Sequence, residues 1–355
     1  MHPRVPLDPP TDYHLNELRA LDQAAAPLVL AGGAHKLIVG DRVWTTRTLR
    51  SSPQARLAQE AIVIIDFRVG TPFAPEAAGR PVRSLYGEVY GRSRSEARDE
   101  RSPEMVHESG ELSPAELLAL FDREGIDRAV LPGEDHEVVT GKRTGNDKMA
   151  EFCAADPDRL IGFAGADPLK GMDGVRELER AVRDLGLRGL NIGSFWSQLY
   201  PTDARYYPLY AKCVELDVPV ILHAANNFSL ETVMDHSHPK YIDRVATDFP
   251  ELKIVATHGG WPWGNELVAV AWRHRNVYID TASQRPLYMA LPNTGWGPLV
   301  HFGNSVLQDR ILFASRWPEL PLRRTIEEIR QLPLKPEVIE KWLGGNAAAL
   351  LGFDG

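Results

Sequence analysis

The sequence has only two cysteines in 355 residues, Cys153 and Cys213. Two are too few for a disulfide framework, and each stands inside an amphipathic pattern (AEFCAA and LYAKCVEL) where a small buried hydrophobe is the expected role. No run of five like charges occurs, and the formal net charge of −8 is spread along the chain, which excludes the footprint of a nucleic-acid or membrane surface. No apolar run reaches membrane-spanning length. The first thirty residues are rich in proline and acidic residues and lack the basic-then-apolar order of a secretory signal. The expected location is therefore the cytoplasm, and the expected partner is a small molecule. With 43% apolar and 25% charged residues, a chain of this length buries a large core without staples.

What is present is a rhythm of short apolar segments alternating with amphipathic helical stretches, the mark of a parallel sheet with crossover helices. Eight such segments occur: AIVIIDFRVG (61–70), DRAVLPG (127–133), RLIGFAG (159–165), RGLNIGS (188–194), PVILHAA (219–225), LKIVATHGG (252–260), NVYIDTAS (276–283) and RILFASRW (310–317). Eight is the number that closes a (β/α)8 TIM barrel. Ser113-Pro114-Ala115-Glu116 reads as a capping box with proline at the first helical position. In MDGVRELERAVRDLG the apolar residues Val175, Leu178, Val182 and Leu185 recur at helical spacing and predict one face packed on the barrel.

Residues 1–60 lie outside this rhythm and predict a small N-terminal β appendage, in which HKLIVGDRVWTTRTL alternates around Gly40-Asp41 as a hairpin does. The barrel then spans 61–355. The stretch 74–112 is polar and rich in glycine and arginine, and it is expected to form a long loop over the barrel mouth.

Barrel enzymes carry their chemistry at the C-terminal ends of the strands. There the sequence sets Arg68, Asn191, His223, His258, Asp280 and Arg316, with Asp66 two residues before Arg68 and Asn226 just after His223. Trp196, Trp261, Trp263 and Trp317 fall just after strands four, six and eight, which favours an aromatic or extended apolar ligand. Asn191 and Asn226 are candidates for orienting a carbonyl or amide. Taken singly, an arginine at a strand end reads as an ion-pair partner for Asp66 or Asp280, and each histidine as a satisfied core or rim residue. His136, in the GEDHE loop, reads most simply as a surface residue, with recruitment to the site as the alternative.

Together with GNDKMAEFCAADPDRLIGFAGADP and GGNAAALLGF, these strand ends resemble the amidohydrolase-related family that includes aminocarboxymuconate semialdehyde decarboxylase and related hydrolases and hydratases. The resemblance covers residues 60–353. It implies a metal held by two histidines of an Asp-x-His-x-His motif ending strand one, by a histidine ending strand five, and by an aspartate ending strand eight. Here strand one reads Asp66-Phe67-Arg68-Val69-Gly70 and strand eight reads Ala314-Ser315-Arg316, so arginine or glycine stands at three of those positions. His223 keeps the remaining ligand position, and His258 matches the family's general acid/base. A guanidinium repels a dication and is no ligand, so the sequence predicts no metal and no cofactor, with zinc or manganese on a rearranged ligand set as the alternative.

Strands one and eight are neighbours where a barrel closes, so Arg68 and Arg316 are expected together as an anion clamp. The expected function is a metal-independent enzyme that acts on a small anionic, carboxylate- or enol-bearing and possibly aromatic substrate. His258 and His223 would carry protons, Asp66 and Asp280 would support them from behind, and the chemistry would be of lyase, decarboxylase or cyclase type. The alternatives are a metal-dependent hydrolase or decarboxylase and a catalytically silent ligand-binding barrel. The resemblance also implies a homodimer.

Overall fold

The computed structural model describes residues 62–89 and 111–353, together with the backbone of 28–30, 34–39 and 42–45. The chain divides into two units, 1–61 and 62–355. In the first, strands β1 (Leu28–Leu30), β2 (Ala34–Val39) and β3 (Arg42–Thr45) pair antiparallel in the order β1-β2-β3. The Gly40-Asp41 turn expected between the last two lies outside the described residues.

All eight expected barrel strands form, each shorter than its apolar segment: β4 (Ile65–Asp66), β6 (Arg128–Pro132), β9 (Leu160–Gly165), β10 (Leu190–Ile192), β11 (Val220–Leu222), β12 (Ile254–Ala256), β13 (Val277–Asp280) and β14 (Ile311–Leu312). They are parallel and ordered as in the sequence, from β4 to β14. Backbone bonds from Phe67 N–H to the Phe313 carbonyl (2.9 Å) and from Arg316 N–H to the Arg68 carbonyl (2.7 Å) join the first strand to the last and close the (β/α)8 barrel. Alternate residues serve two cores. Ile221 and Val255 point inward with Ile65, Phe163 and Leu312, while Val220, Leu222, Ile254 and Ala256 pack outward under the helices. Both cysteines are buried and free.

The capping box is made as read: Glu116 N–H donates to Ser113 Oγ, and Ser113 N–H donates back to the Glu116 carboxylate at 2.7 Å, starting the helix Pro114–Glu124. The helix Met172–Arg183 buries Gly174, Val175, Leu178 and Ala181, whereas Val182 and Leu185 are only partly buried. Its packed stripe is rotated slightly from the expected one, with Gly174 set against the Asp167 carbonyl, where a Cβ would come within 2.7 Å. Among the described residues no helix is long and apolar enough to cross a membrane.

The loops at the C-terminal ends add a second small sheet, β5 (Ala77–Ala78), β7 (Asp135–His136) and β8 (Lys142–Arg143), in the order β5-β8-β7. From β5 the chain continues to residues 227–231: Leu85 N–H bonds the Phe228 carbonyl, Leu230 N–H bonds the Arg83 carbonyl, and Arg80 pairs with Glu231. Residues 90–110, the greater part of the expected mouth loop, lie outside the described residues.

Candidate active site

Asp66 ends β4 fully buried. Its Oδ1 accepts from the N–H groups of Arg68 (3.1 Å) and Ser315 (3.0 Å), and Ser315 Oγ lies 2.5 Å from its Oδ2. Ser315 Oγ also accepts the Trp317 N–H at 2.8 Å. One carboxyl group thereby fastens the end of the first barrel strand to the end of the eighth, and the two arginines with them. Burial drives the Asp66 carboxyl up to about 7, against the Ser315 and Arg68 bonds and with a contribution from Asp280. His258, Ser283 and Arg316 follow β12, β13 and β14 with φ of 60°, 60° and 59°. A left-handed backbone costs a non-glycine residue roughly 1–3 kcal/mol, and all three residues so held line the same cavity.

That cavity, of about 410 Å³, lies at the C-terminal ends of the strands. Arg68 Nη1 donates to Asn191 Oδ1 at 3.2 Å, and Asn191 Nδ2 is held by the Gly133 carbonyl at 2.8 Å, while Arg68 Nε is buried without a hydrogen-bond partner among the described residues. Burial, then the neighbouring Arg316 charge, lower Arg68 to about 10, while Asp280, Glu134 and Glu319 oppose them; the group stays charged at neutral pH. Burial also works against the Arg316 charge, but Glu319 and Glu134 outweigh it and raise that guanidinium further. Arg316 Nη2 lies 3.8 Å from Glu134 Oε1, beyond hydrogen-bond range.

The rings of His223 and His258 lie 4.9 Å apart. His258 Nδ1 sits 2.8 Å from the Ala282 carbonyl, which only accepts, so Nδ1 carries the hydrogen and the neutral ring keeps its lone pair on Nε2. Burial and Arg68, with a further push from Arg316, lower His258 to about 3 against the Ala282 bond. His223, 2.9 Å from Ser237 Oγ, is held well below the usual histidine range by burial, His258 and the arginines. Behind them Asp280 Oδ1 accepts the His258 and Ala282 N–H groups at 2.8 and 3.0 Å, while its buried Oδ2 has no hydrogen-bond partner among the described residues. Burial raises Asp280, and Arg68 restrains the rise.

Arg68, Arg316, His223, His258, Asn191, Asn226 and Trp196 line the cavity, with Asp66 and Asp280 behind. Trp261, Trp263 and Trp317 do not line it. Trp261 is 39% exposed, Trp263 packs on the His238 ring at 4.5 Å, and Trp317 is 1% exposed within the core. The tight turn His258–Gly260 and the inward course of residue 317 carry these side chains away. Glu134, Ser283, Glu319 and Tyr86 also line the cavity and were not singled out by the sequence; His136, read as a surface residue, is buried in its wall.

The metal set implied by the family resemblance is not reproduced. Among the described residues no group of three or more His, Cys, Asp or Glu could hold a metal ion. A Cβ at Gly70 would lie 2.6 Å from the Trp317 carbonyl, so this position has no space for a ligating side chain. The residues present do not fit a metal held in that way.

A gamma-resorcylate decarboxylase of Rhizobium sp. (strain MTP-10005) is 27% identical over 252 residues, 57% of this chain and 75% of the relative. An uncharacterized TIM-barrel protein of Bordetella bronchiseptica is 31% identical with a TM-score of 0.60, covering 82% of this chain and 98% of that one. A dihydroxybenzoic acid decarboxylase of Polaromonas sp. JS666, crystallised with bound manganese and the inhibitor 2-nitroresorcinol, shares the fold at a TM-score of 0.57 and 21% identity, over 82% of this chain and 97% of that one. Its manganese overturns the expectation that no cofactor is used: arginines at the ligand positions argued against one local arrangement, and that argument does not extend to cofactor use as a whole. The family model for amidohydrolases matches residues 11–353, reaching well before the span of the motif resemblance. A closed eight-stranded barrel, paired histidines at its mouth and a match over nearly the whole sequence make this chain a member of the amidohydrolase family, an enzyme of its hydrolase or carbon–carbon lyase kind.

Proposed function

We propose that the protein is a decarboxylase of a small aromatic carboxylic acid. The observation that carries this reading is the meeting of two guanidiniums, Arg68 and Arg316, and two imidazoles, His223 and His258, in one cavity. The gamma-resorcylate decarboxylase of Rhizobium supports the reaction class. The arginines draw in the anion. A clamp on the departing carboxylate would stabilise the ground state and slow the reaction, so their catalytic work lies with the substrate oxygen onto which charge moves. The carbon–carbon bond breaks with its electron pair left on the ring, carbon dioxide departs, and a proton drawn from solvent is delivered by His258 to the ring carbon; the balance is R–COO⁻ plus H⁺ giving R–H plus CO2.

His258 in the free protein is a poor proton carrier because burial and two guanidiniums disfavour its cation. A bound anion offsets that field, so His258 gains basicity when substrate arrives. His223 serves as its partner, and Trp196 and Phe195 supply apolar walls for a ring.

The test measures carbon dioxide release from gamma-resorcylate and other hydroxybenzoates, with and without added manganese, for wild type and His258→Asn. Calorimetry in two buffers of different ionisation enthalpy reads proton uptake on binding. Turnover lost by at least roughly a hundredfold in His258→Asn, with proton uptake in the wild type, is the expected result. Full turnover in His258→Asn, or no release from any aromatic acid under either metal condition, would sink the reading.

A further inference from the structure

A third histidine lines the cavity. His136 is 4% exposed and its ring stacks on Trp196 with centroids 5.3 Å apart at 17°. Its hydrogen position follows from Thr140. That hydroxyl has one hydrogen and donates it to the His136 carbonyl at 3.0 Å, so toward Nδ1 of the same residue, 2.5 Å away, it can only accept, as it also does from the Lys142 N–H at 3.2 Å. Nδ1 therefore carries a hydrogen, so the lone pair of an uncharged ring lies on Nε2.

That nitrogen is buried and has no hydrogen-bond partner. The charged atom facing it is Glu134 Oε2 at 3.7 Å, beyond the ~2.7–3.2 Å of a hydrogen bond, and this oxygen is already held by Lys142 Nζ at 2.6 Å. Two acceptors, an imidazole lone pair and a carboxylate, thus flank one point on the cavity wall. A buried acceptor left without a donor is costly, and nothing within the described chain supplies the donor. The other oxygen of Glu134 lies 3.8 Å from Arg316 Nη2, so this point and the arginines face the same stretch of the cavity.

We propose that His136 Nε2, with Glu134 beside it, is a specificity-determining acceptor that takes a hydroxyl or N–H donor of the substrate while Arg68 and Arg316 take its anionic group. Thr140 is the positioning residue, because it fixes which ring nitrogen is bare. The inference rests on the reading of this cavity as an aromatic-acid site and adds to it a second recognition point, one that separates ring hydroxyls from their methyl ethers.

The test is a calorimetric affinity series on the full chain with benzoate, the 2-, 3- and 4-hydroxybenzoates and the matching methoxybenzoates. Wild type, His136→Phe and Thr140→Val are compared. His136→Phe keeps an aromatic ring against Trp196 and removes Nε2; benzoate, which has no donor to lose, is the internal reference for an intact site. At least one hydroxybenzoate is expected to bind roughly tenfold tighter than its methyl ether to wild type, and the preference is expected to vanish in His136→Phe. Nitrogen-15 NMR of the histidines is expected to show His136 bare at Nε2, with that signature changed in Thr140→Val. A preference that survives in His136→Phe, or an Nε2 already protonated in the free protein at neutral pH, would overturn the inference. Benzoate binding without hydroxyl discrimination in wild type would overturn it alone, whereas failure of every carboxylate to bind would remove the aromatic-acid reading and this inference with it.

Discussion

The two halves of the cavity are built by different means. The strand-end half, carrying Arg68, His223, His258 and Arg316, is fixed by barrel backbone and by two fully buried carboxyl groups, Asp66 and Asp280, that accept backbone N–H groups. The loop half, carrying Arg80, Glu134, His136 and Lys142, is held by two-residue strands and by side-chain pairs such as Lys142 with Glu134 and Arg80 with Glu231. Strand ends cannot shift without breaking the barrel sheet, while the loop wall rests on shorter backbone ladders and on side-chain pairs. The first half suits chemistry that is common to a family, and the second suits choice among substrates.

The sharpest way to break this contrast is to remove the charges of the rigid half while keeping its backbone. Asp66 clasps the Arg68 N–H and not the guanidinium, so Arg68→Ala/Arg316→Ala leaves the strand-closing bonds in place. Charge-assisted hydrogen bonds contribute about 1.5–3 kcal/mol each, so carboxylate affinity should fall roughly 10- to 100-fold per arginine, less than additively because the two are coupled. The His258 titration, followed by NMR, should move up toward the ordinary histidine range in the same variant, since Arg68 and Arg316 both depress it. Unchanged carboxylate binding would show that the anion sits elsewhere.

The same division explains what was legible in the sequence. Strand period and order set the register, and register alone brought Arg68, Asn191, His223, His258 and Arg316 to one mouth. The loop wall was not legible in that way. Glu319 reaches the site by turning back from residue 316 to meet Ser283, with 2.5 Å between Ser283 Oγ and Glu319 Oε2, and Ser84 arrives through a bridge to Ser229. These are contacts between remote segments, and no local period encodes them. His136 had one signal, its place just after a strand end with Thr140 four residues on, but its burial depends on Trp196 folding over it. Of four tryptophans that follow strands, only Trp196 lines the cavity, because proximity in sequence to a strand end does not set the direction of a bulky side chain.

A second prediction sharpens the rigid half through its pH dependence. Asp66 is raised from 3.8 to about 7, so the folded chain binds a proton there more tightly than the unfolded chain does. The contribution of this group to stability is therefore full below 3.8 and is lost as pH rises toward about 7. Asp66→Asn cannot ionise, and the asparagine oxygen still accepts the two N–H groups now on Oδ1. The variant should lose that segment of the pH profile, with its thermal midpoint flatter than wild type across this window. Equal pH slopes in the two proteins would mean that Asp66 is ionised in the fold and that the Ser315 and Arg68 bonds outweigh its burial.

The smallest effect is expected in the loop half. Arg80 Nη1 meets Glu231 Oε2 at 2.7 Å with the Arg80 side chain 48% exposed, and such exposed pairs are worth about 0.2–1 kcal/mol. Arg80→Ala should therefore leave global unfolding almost unchanged. Its effect belongs locally: Glu231 also accepts the Arg83 N–H, and residues 83–85 are further tied to 228–230 by the Leu85 and Leu230 backbone bonds and the Ser84 bridge. Hydrogen exchange at Arg83 and Leu85 should speed up several-fold in Arg80→Ala while exchange in β11 and β12 stays at the wild-type rate. Faster exchange in the barrel strands as well would mean that the two halves open together, and the contrast between a fixed wall and an adjustable one would not hold.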